Sequence, residues 1–278
     1  MISVARLEFN PIQENTYIVW DETGECIVVD AGCYNARERQ ALASFVAGKG
    51  LRPVLAANTH GHFDHTFGVD WVKTTYGVPF AIDFRDNFLL ESLPAQGRMF
   101  GFEFGSAPVA EIDLGGEAAD GEGAENGTAS ACAVWPVGER DDERLRSTGR
   151  RPGRGAHSPN RPEPQPAEVR FGQSVLQVIP TPGHTPGHVC LYDPEGGMLL
   201  TGDTLFKESI GRTDLPGGDY SWIMKSILKR IVPLGEGVRI LPGHGPESTI
   251  GHELLYNPFI VEVLQGQVAP APTTAAPK

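Results

Sequence analysis

The sequence predicts a layered domain of the α/β or α+β class, on three observations. Strand-like and helix-like segments alternate through the first third of the chain. Several of the strands are short, unbroken apolar runs of the kind that become buried. The strand pattern then resumes at Val169 after a long interruption.

The elements follow in order. Residues 4–9 form a candidate strand, broken by Asn10-Pro11, and residues 16–20 form a second, rich in β-branched and aromatic side chains. After a turn at residues 21–24, the apolar run 26–29 reads as a buried strand ending in Asp30-Ala31-Gly32. Residues 37–49 read as a helix with Ala41, Leu42, Phe45 and Val46 on one face, closed by Gly48 and Gly50. Residues 54–57 form a buried strand leading into His60. A helix over 66–76, a strand over 79–82 and a helix over 84–100 come next; Phe88, Leu89, Ser92 and Leu93 give the last a partial apolar face. From Val169 onward, strands are expected at 175–179, 189–192, 198–200 and 238–241. An amphipathic helix is expected at 220–231, with Ile223, Ile227, Leu228 and Ile231 on one side.

Residues 115–167 differ in character. Gly, Ala, Pro, Glu and Arg dominate, and Val134, Trp135, Val137 and Leu145 are nearly all the large apolar residues. Such a stretch buries too little apolar area to offset its chain entropy, so it reads as a disordered insertion, with 135–137 a short strand remnant. Its later arginines lack interleaved aromatic residues and read as a solvated loop rather than an RNA-binding patch. The expected organisation is one domain in two halves, 1–114 and 168–265, split by the insertion 115–167 and followed by a flexible tail, 266–278.

Composition narrows the function. The chain has 278 residues, 40% hydrophobic and 21% charged, with 23 basic and 35 acidic side chains and a net charge of −12. That balance disfavours nucleic acid and anionic lipid as partners. No run of about 18 apolar residues suggests a membrane span. The first ten residues lack the basic start and apolar run of a signal peptide. Cys26, Cys33, Cys132 and Cys190 form no CxxC pair and read as reduced thiols, so a cytoplasmic location is expected.

The chemistry concentrates at His60-Gly61-His62-Phe63-Asp64-His65. Three imidazoles and a carboxylate in six residues, just past a strand, are ligands that zinc and related metals accept. With eight histidines in the chain, this spacing would arise by chance in only about three of ten thousand chains of the same composition. Further candidates also follow strands and adjoin glycines: Gly183-His184, Gly202-Asp203 and Gly243-His244-Gly245. His157 reads as solvated, and His188 and His252 as structural hydrogen-bonding residues. Asp30, at a strand end, is a candidate to orient a ligating imidazole. Cys33 reads as packing.

Together the segments Thr59–His65, Thr181–His188, Thr201–Phe206 and Pro242–Gly245 resemble the metallo-β-lactamase-fold hydrolases, and within them the glyoxalase II-like branch. The resemblance spans residues 1–114 and 169–262. It implies an α+β fold, a four-layer αββα sandwich with metals at one edge. It also implies that His60, His62 and His184 hold one divalent ion, that Asp64, His65 and His244 hold a second, and that Asp203 bridges them. Zinc is expected, with iron or manganese as alternatives.

Asp64 and Asp203 are the candidate catalytic carboxylates. Two ions lower the pKa of a bound water toward about 7, giving hydroxide that attacks a carbonyl. A thiolate leaving group, with a conjugate acid near about 8.5, needs little protonation. The expected enzyme is therefore a hydroxyacylglutathione-hydrolase-like thioesterase acting on a small molecule. Arg212 is a candidate to bind a substrate carboxylate, against the alternative that it pairs with Asp214. Full glyoxalase II enzymes complete a glutathione site with a C-terminal helical domain; here 34 residues follow His244. The alternative activity is that of the persulfide dioxygenases, which resemble this chain and use one iron, here on His60, His184 and Asp203. A nuclease, a non-catalytic binding module and a β-lactamase are disfavoured.

Overall fold

Alternation of side chains along covered strands sorts the apolar residues of this chain into separate cores. The computed structural model describes residues 1–104, 106–115 and 167–266. The first half builds one sheet from β1 (Ser3–Phe9), β2 (Glu14–Trp20), β3 (Glu25–Val29), β4 (Arg52–Ala57), β5 (Phe80–Ile82) and β6 (Ile112–Asp113), in that spatial order. β1, β2 and β3 pair antiparallel, and β3 to β6 pair parallel. The parallel steps need crossovers. These are supplied by α1 (Ala36–Gly48), by α2 (Phe63–Thr66) with α3 (Val69–Tyr76), and by α4 (Asn87–Phe100).

The second half builds the other sheet. It contains β7 (Glu168–Phe171), β8 (Ser174–Pro180), β9 (Val189–Asp193) and β10 (Met198–Gly202). The small hairpin β11 (Leu205–Phe206) and β12 (Ser209–Ile210) follows, then α5 (Tyr220–Ser226), β13 (Arg239–Pro242), β14 (Ser248–Thr249), α6 (Ile250–Tyr256) and α7 (Pro258–Gly266). The sheet runs β14-β13-β10-β9-β8-β7, and β10 and β13 are parallel.

On β3, Ile27 and Val29 face the second sheet, while Cys26 and Val28 face outward against α1 and α3 through Leu42, Val46, Val69 and Val72. On β10, Met198 and Leu200 face the first sheet, while Leu199 faces outward onto Ile223 and Ile250. The layers are therefore helix, sheet, sheet, helix, the predicted αββα sandwich. Slipping either strand by one residue would exchange two of its cores, so the pattern specifies the register strongly.

The structure refines several predicted elements. The helix expected over 66–76 is two helices, α2 and α3, parted at Gly68. Gly68 N donates to Ala31 O at 2.7 Å, and a side chain there would collide with Cys33 Sγ. The 84–100 segment starts as one 3₁₀ turn before α4, and the 220–231 segment passes from α5 into a π turn at Ile227–Ile231. Neither α6 nor α7 was expected. Each is short; Thr249 caps the first, and Asn257 accepts from Phe259 N at the start of the second. Residues 116–166 and 267–278, with Cys132, the Trp135 segment, His157 and the arginine run, lie outside the described residues.

Candidate metal centre

Four chain segments leave the sheets beside one another: after β4, β8, β10 and β13. They bring together all seven predicted ligands. His60, His62 and His184 place one nitrogen each within 4.8 Å of one another, and a carboxylate oxygen of Asp64 and one nitrogen each of His65 and His244 lie equally close together. His62 Nδ1 and His184 Nε2 are 2.8 Å apart. Asp203 stands between the sets, with Oδ1 3.4 Å from His65 Nε2 and Oδ2 3.5 Å from His184 Nε2 and 3.7 Å from His244 Nε2. Asp64 Oδ2 lies 3.1 Å from His244 Nε2. Six of the seven residues are buried; His244 is half-buried.

The cluster makes little sense as a closed hydrogen-bond network. His60 Nε2, His65 Nε2 and Asp203 Oδ1 are buried and have no hydrogen-bond partner. Orphaned polar atoms of this kind are costly, and a cation accepts all three lone pairs. Protonation points the same way. Burial, reinforced by neighbouring histidines, pushes His60 well below its ordinary pKa and His62 down to about 3, so both rings are neutral, as ligation requires. Burial opposes ionisation of Asp203, yet His65 and His244 beside it hold its carboxyl below the usual range. His65 moves the opposite way. Burial would neutralise it, but Asp203, Asp64 and Asp30 raise its pKa well above normal. Without a cation the proton on His65 balances these carboxylates; a bound cation would take over that charge and leave His65 Nε2 free to ligate. The donor set therefore fits divalent metal ions.

Surrounding residues fix the tautomers. Thr59 Oγ1 donates to Asp30 Oδ2 at 2.8 Å, so at its 3.1 Å contact with His60 Nδ1 the ring donates, leaving Nε2 bare. His184 Nδ1 donates to the Arg212 carbonyl at 2.8 Å, leaving its Nε2 bare toward His62. Asp30 also accepts from Thr59 N at 2.7 Å and lies 3.2 Å from His65 Nδ1. It holds φ +52°, a left-handed conformation uncommon outside glycine and concentrated at functional sites. The expected orienting role of Asp30 thus has geometry behind it. His188 Nε2 accepts from Asp203 N at 3.0 Å, and its Nδ1 meets Thr181 and Thr204. Both nitrogens are used, as expected of a structural histidine. His252 pairs with Glu208 on the surface, and Cys33 is buried in the outer core.

Several supports escaped the sequence reading. Asp86 accepts from Gly61 N, Thr185 Oγ1 and Gly187 N at 2.9, 2.7 and 2.7 Å, stapling two ligand loops together. Asn58 Nδ2 donates to His65 O at 3.0 Å. Asn15 Nδ2 and Tyr17 OH donate to Pro242 O, fixing the loop of His244. Glu14, fully buried, bonds Thr16 and runs beside His244. At Gly243 any side chain would meet Asp203 Oδ1 and His65 Cε1, which explains the glycine before His244.

A cavity of about 660 Å³ opens onto the cluster. Its walls include Phe63, Phe88, Leu89, Phe206 and Leu215, and Arg212 lies at its margin. Arg212 makes a bidentate pair with Asp214, both bonds 2.8 Å. This is the pairing that one of the two sequence readings for Arg212 expects.

Residues 9–244 match the metallo-beta-lactamase superfamily, and the chain belongs to that family of generally hydrolytic enzymes whose fold binds divalent metals. The chain is 29% identical over 250 residues to the hydroxyacylglutathione hydrolase GloC of Haemophilus influenzae, covering 89% of this chain and 93% of that one. Among solved structures, BLEG-1 B3 metallo-beta-lactamase has a TM-score of 0.69 at 28% identity, covering 93% of this chain and 99% of the other. TTHA1623, solved in a di-iron-bound form, has a TM-score of 0.64 at 28% identity, covering 92% and 99%. No helix among the described residues is long and apolar enough to cross a membrane.

Proposed function

We propose that this protein is a metal-dependent thioester hydrolase resembling hydroxyacylglutathione hydrolases. In this reading His60, His62 and His184 would hold one divalent ion, Asp64, His65 and His244 would hold a second, and Asp203 would serve both. The observation that carries it is the pair of three-residue ligand sets joined by Asp203, with bare buried lone pairs aimed inward. The similarity to GloC supports the thioester assignment. Zinc is the first candidate metal; iron and manganese are alternatives, and the di-iron form of TTHA1623 keeps iron in view.

Bound ions would supply Lewis acidity and a water of lowered pKa. The remaining work falls to the chain. Asp64, at the cavity floor, accepts a hydrogen bond from the attacking water and aims it at the carbonyl carbon. Asp30 holds Thr59, Thr59 holds the His60 ring and the Arg212 carbonyl holds His184, so these acceptor atoms need no reorganisation during the reaction. The apolar walls exclude bulk water from the acyl group. A thiolate leaves without a strong general acid.

Domain organisation and location follow the same reading. Residues 1–114 and 168–265 act as one catalytic unit. The buried free thiols Cys26, Cys33 and Cys190 suit the reducing cytoplasm.

Metal analysis of purified protein, paired with assays of S-lactoylglutathione, other thioesters and glutathione persulfide, tests the proposal. About two divalent ions per chain and thioester turnover, both lost in Asp203→Ala, are expected. Full turnover by metal-stripped protein would overturn it. Oxygen uptake with glutathione persulfide, with one iron per chain, would select the dioxygenase reading on His60, His184 and Asp203.

A further inference from the structure

We infer that the cavity beside the ligand cluster binds an extended apolar acyl chain, so that the preferred substrates are neutral, medium-chain acyl thioesters rather than lactoyl conjugates of glutathione. This inference rests on the thioesterase reading above and narrows its substrate.

The cavity is large, about 660 Å³, within the range that encloses most of a drug-sized ligand. Its wall is mainly carbon, and much of it comes from one helix. On α4, Phe88, Ser92, Gln96 and Met99 follow helical spacing along one stripe that faces the cavity. Leu90, Leu93 and Gly97 are buried on the other side of the same helix. Phe88 remains 41% exposed and Met99 80% exposed, an unusual apolar display beside a polar metal site. The polar residues on the stripe are occupied with each other. Ser92 Oγ donates to Leu89 O at 3.0 Å, and Gln96 Nε2 donates to Leu89 O and Ser92 Oγ, both at 2.9 Å.

The second wall begins inside the ligand motif. Phe63, between His62 and Asp64, stacks on Phe100 with ring centres 4.9 Å apart. This places an aromatic surface directly beside Asp64, so an acyl carbonyl held at the cluster would lead its chain onto it. Opposite, Phe206 of β11 and Ile210 of β12 also line the cavity.

Charge excludes the alternative. Glutathione carries two carboxylates and needs cationic partners. Apart from the ligand histidines, Arg212 is the only cationic side chain among the described residues lining the cavity, and its Nε and Nη2 contact Asp214. A glutathione conjugate would have to desolvate its two carboxylates and its ammonium group beside phenylalanine, with a single arginine already shared with Asp214 to receive it, a cost an alkyl chain avoids.

The test separates binding from catalysis. Titration calorimetry compares two thioethers that cannot be hydrolysed, S-octyl- and S-methyl-N-acetylcysteamine, on the metal-loaded and the metal-stripped protein. At up to about fourfold per buried methylene, the octyl compound is expected to bind at least about a hundredfold more tightly in both forms. Phe88→Ser, at a half-exposed position that folding tolerates, is expected to cut that ratio by about tenfold or more. Equal affinities for the two thioethers would overturn the inference. In parallel, kcat/KM is measured for acetyl, butanoyl, hexanoyl and octanoyl thioesters of N-acetylcysteamine and for S-lactoylglutathione. A rise with chain length, and octanoyl above lactoylglutathione, supports the inference; a flat or falling series overturns it. Tight octyl binding with no thioester cleaved at any length would overturn the thioesterase reading and leave the apolar site standing.

Discussion

Replacing Asp30 with asparagine probes how far the ligand geometry depends on a residue that is not itself in either ligand set. Asp30 accepts from Thr59 N at 2.7 Å and Thr59 Oγ1 at 2.8 Å, and its Oδ2 lies 3.2 Å from His65 Nδ1. Asparagine keeps the size, tolerates φ +52° and retains an oxygen for the Thr59 amide. It also puts an NH₂ group where His65 had an acceptor. The His65 proton then moves to Nε2, the atom 3.4 Å from Asp203 Oδ1 that has to be bare to ligate. One charge-assisted hydrogen bond is lost and another weakened, so unfolding in urea should cost about 2 kcal/mol less than in the parent. Loss of an orienting partner should weaken metal binding by about tenfold to a hundredfold. The loss should fall on both ligand sets, because the new NH₂ group also faces Thr59 Oγ1, whose hydroxyl is then free to donate to His60 Nδ1 and drive the His60 proton to Nε2. Competition with a chromophoric chelator resolves the two classes of site. Unchanged affinity at both sets would refute this account of Asp30.

Asp86→Ala removes two buried acceptor oxygens that take three hydrogen bonds from the loops of His60 and His184, and chemical denaturation should show a loss of about 3 kcal/mol or more, with reduced metal retention. Burial, partly offset by those three donors, lifts the Asp86 carboxyl from 3.8 to about 6. Its proton is therefore held more tightly in the folded chain, so its contribution favours folding below about 4 and fades as pH rises through about 6. Metal-stripped Asp86→Asn should accordingly show a flatter stability curve across that window; an unchanged slope would reject the assignment. Gly202→Ala forces a Cβ at φ +45° to within 2.3 Å of Thr59 Oγ1 and 2.8 Å of His188 Nε2. Metal content after dialysis should drop in that variant, and full retention would show that Asp203 tolerates the shift. Leu176→Ala, in the core between the sheets, should lower stability by about 2–5 kcal/mol without moving the metal affinity of the folded protein.

The legible part of this protein was local. His60 to His65 sit within one short segment, and His184, Asp203 and His244 each follow an apolar strand beside a glycine, so spacing and residue chemistry were enough to gather them. The layers were legible for a similar reason: runs such as Ile27–Val29 and Met198–Leu200 carry apolar residues on both faces and demand cover on both sides. Asp30 could be suggested because it ends a strand. What escaped depends on contacts far apart in the chain. Asp86 reaches residues 25, 99 and 101 positions away, and Asn15 reaches Pro242 across 227. Neither has a neighbour in sequence that announces its task. The break at Gly68 depends on Ala31 and Cys33 packing against it, and α6 and α7 are too short for helical periodicity to stand out.

Anomalous diffraction from crystals of the purified, metal-replete protein tests the central claim most directly. Two peaks flanking the Asp203 carboxylate are predicted, one against His60, His62 and His184 and the other against Asp64, His65 and His244. Crystals of fully active protein with no anomalous density among these seven side chains would contradict the account.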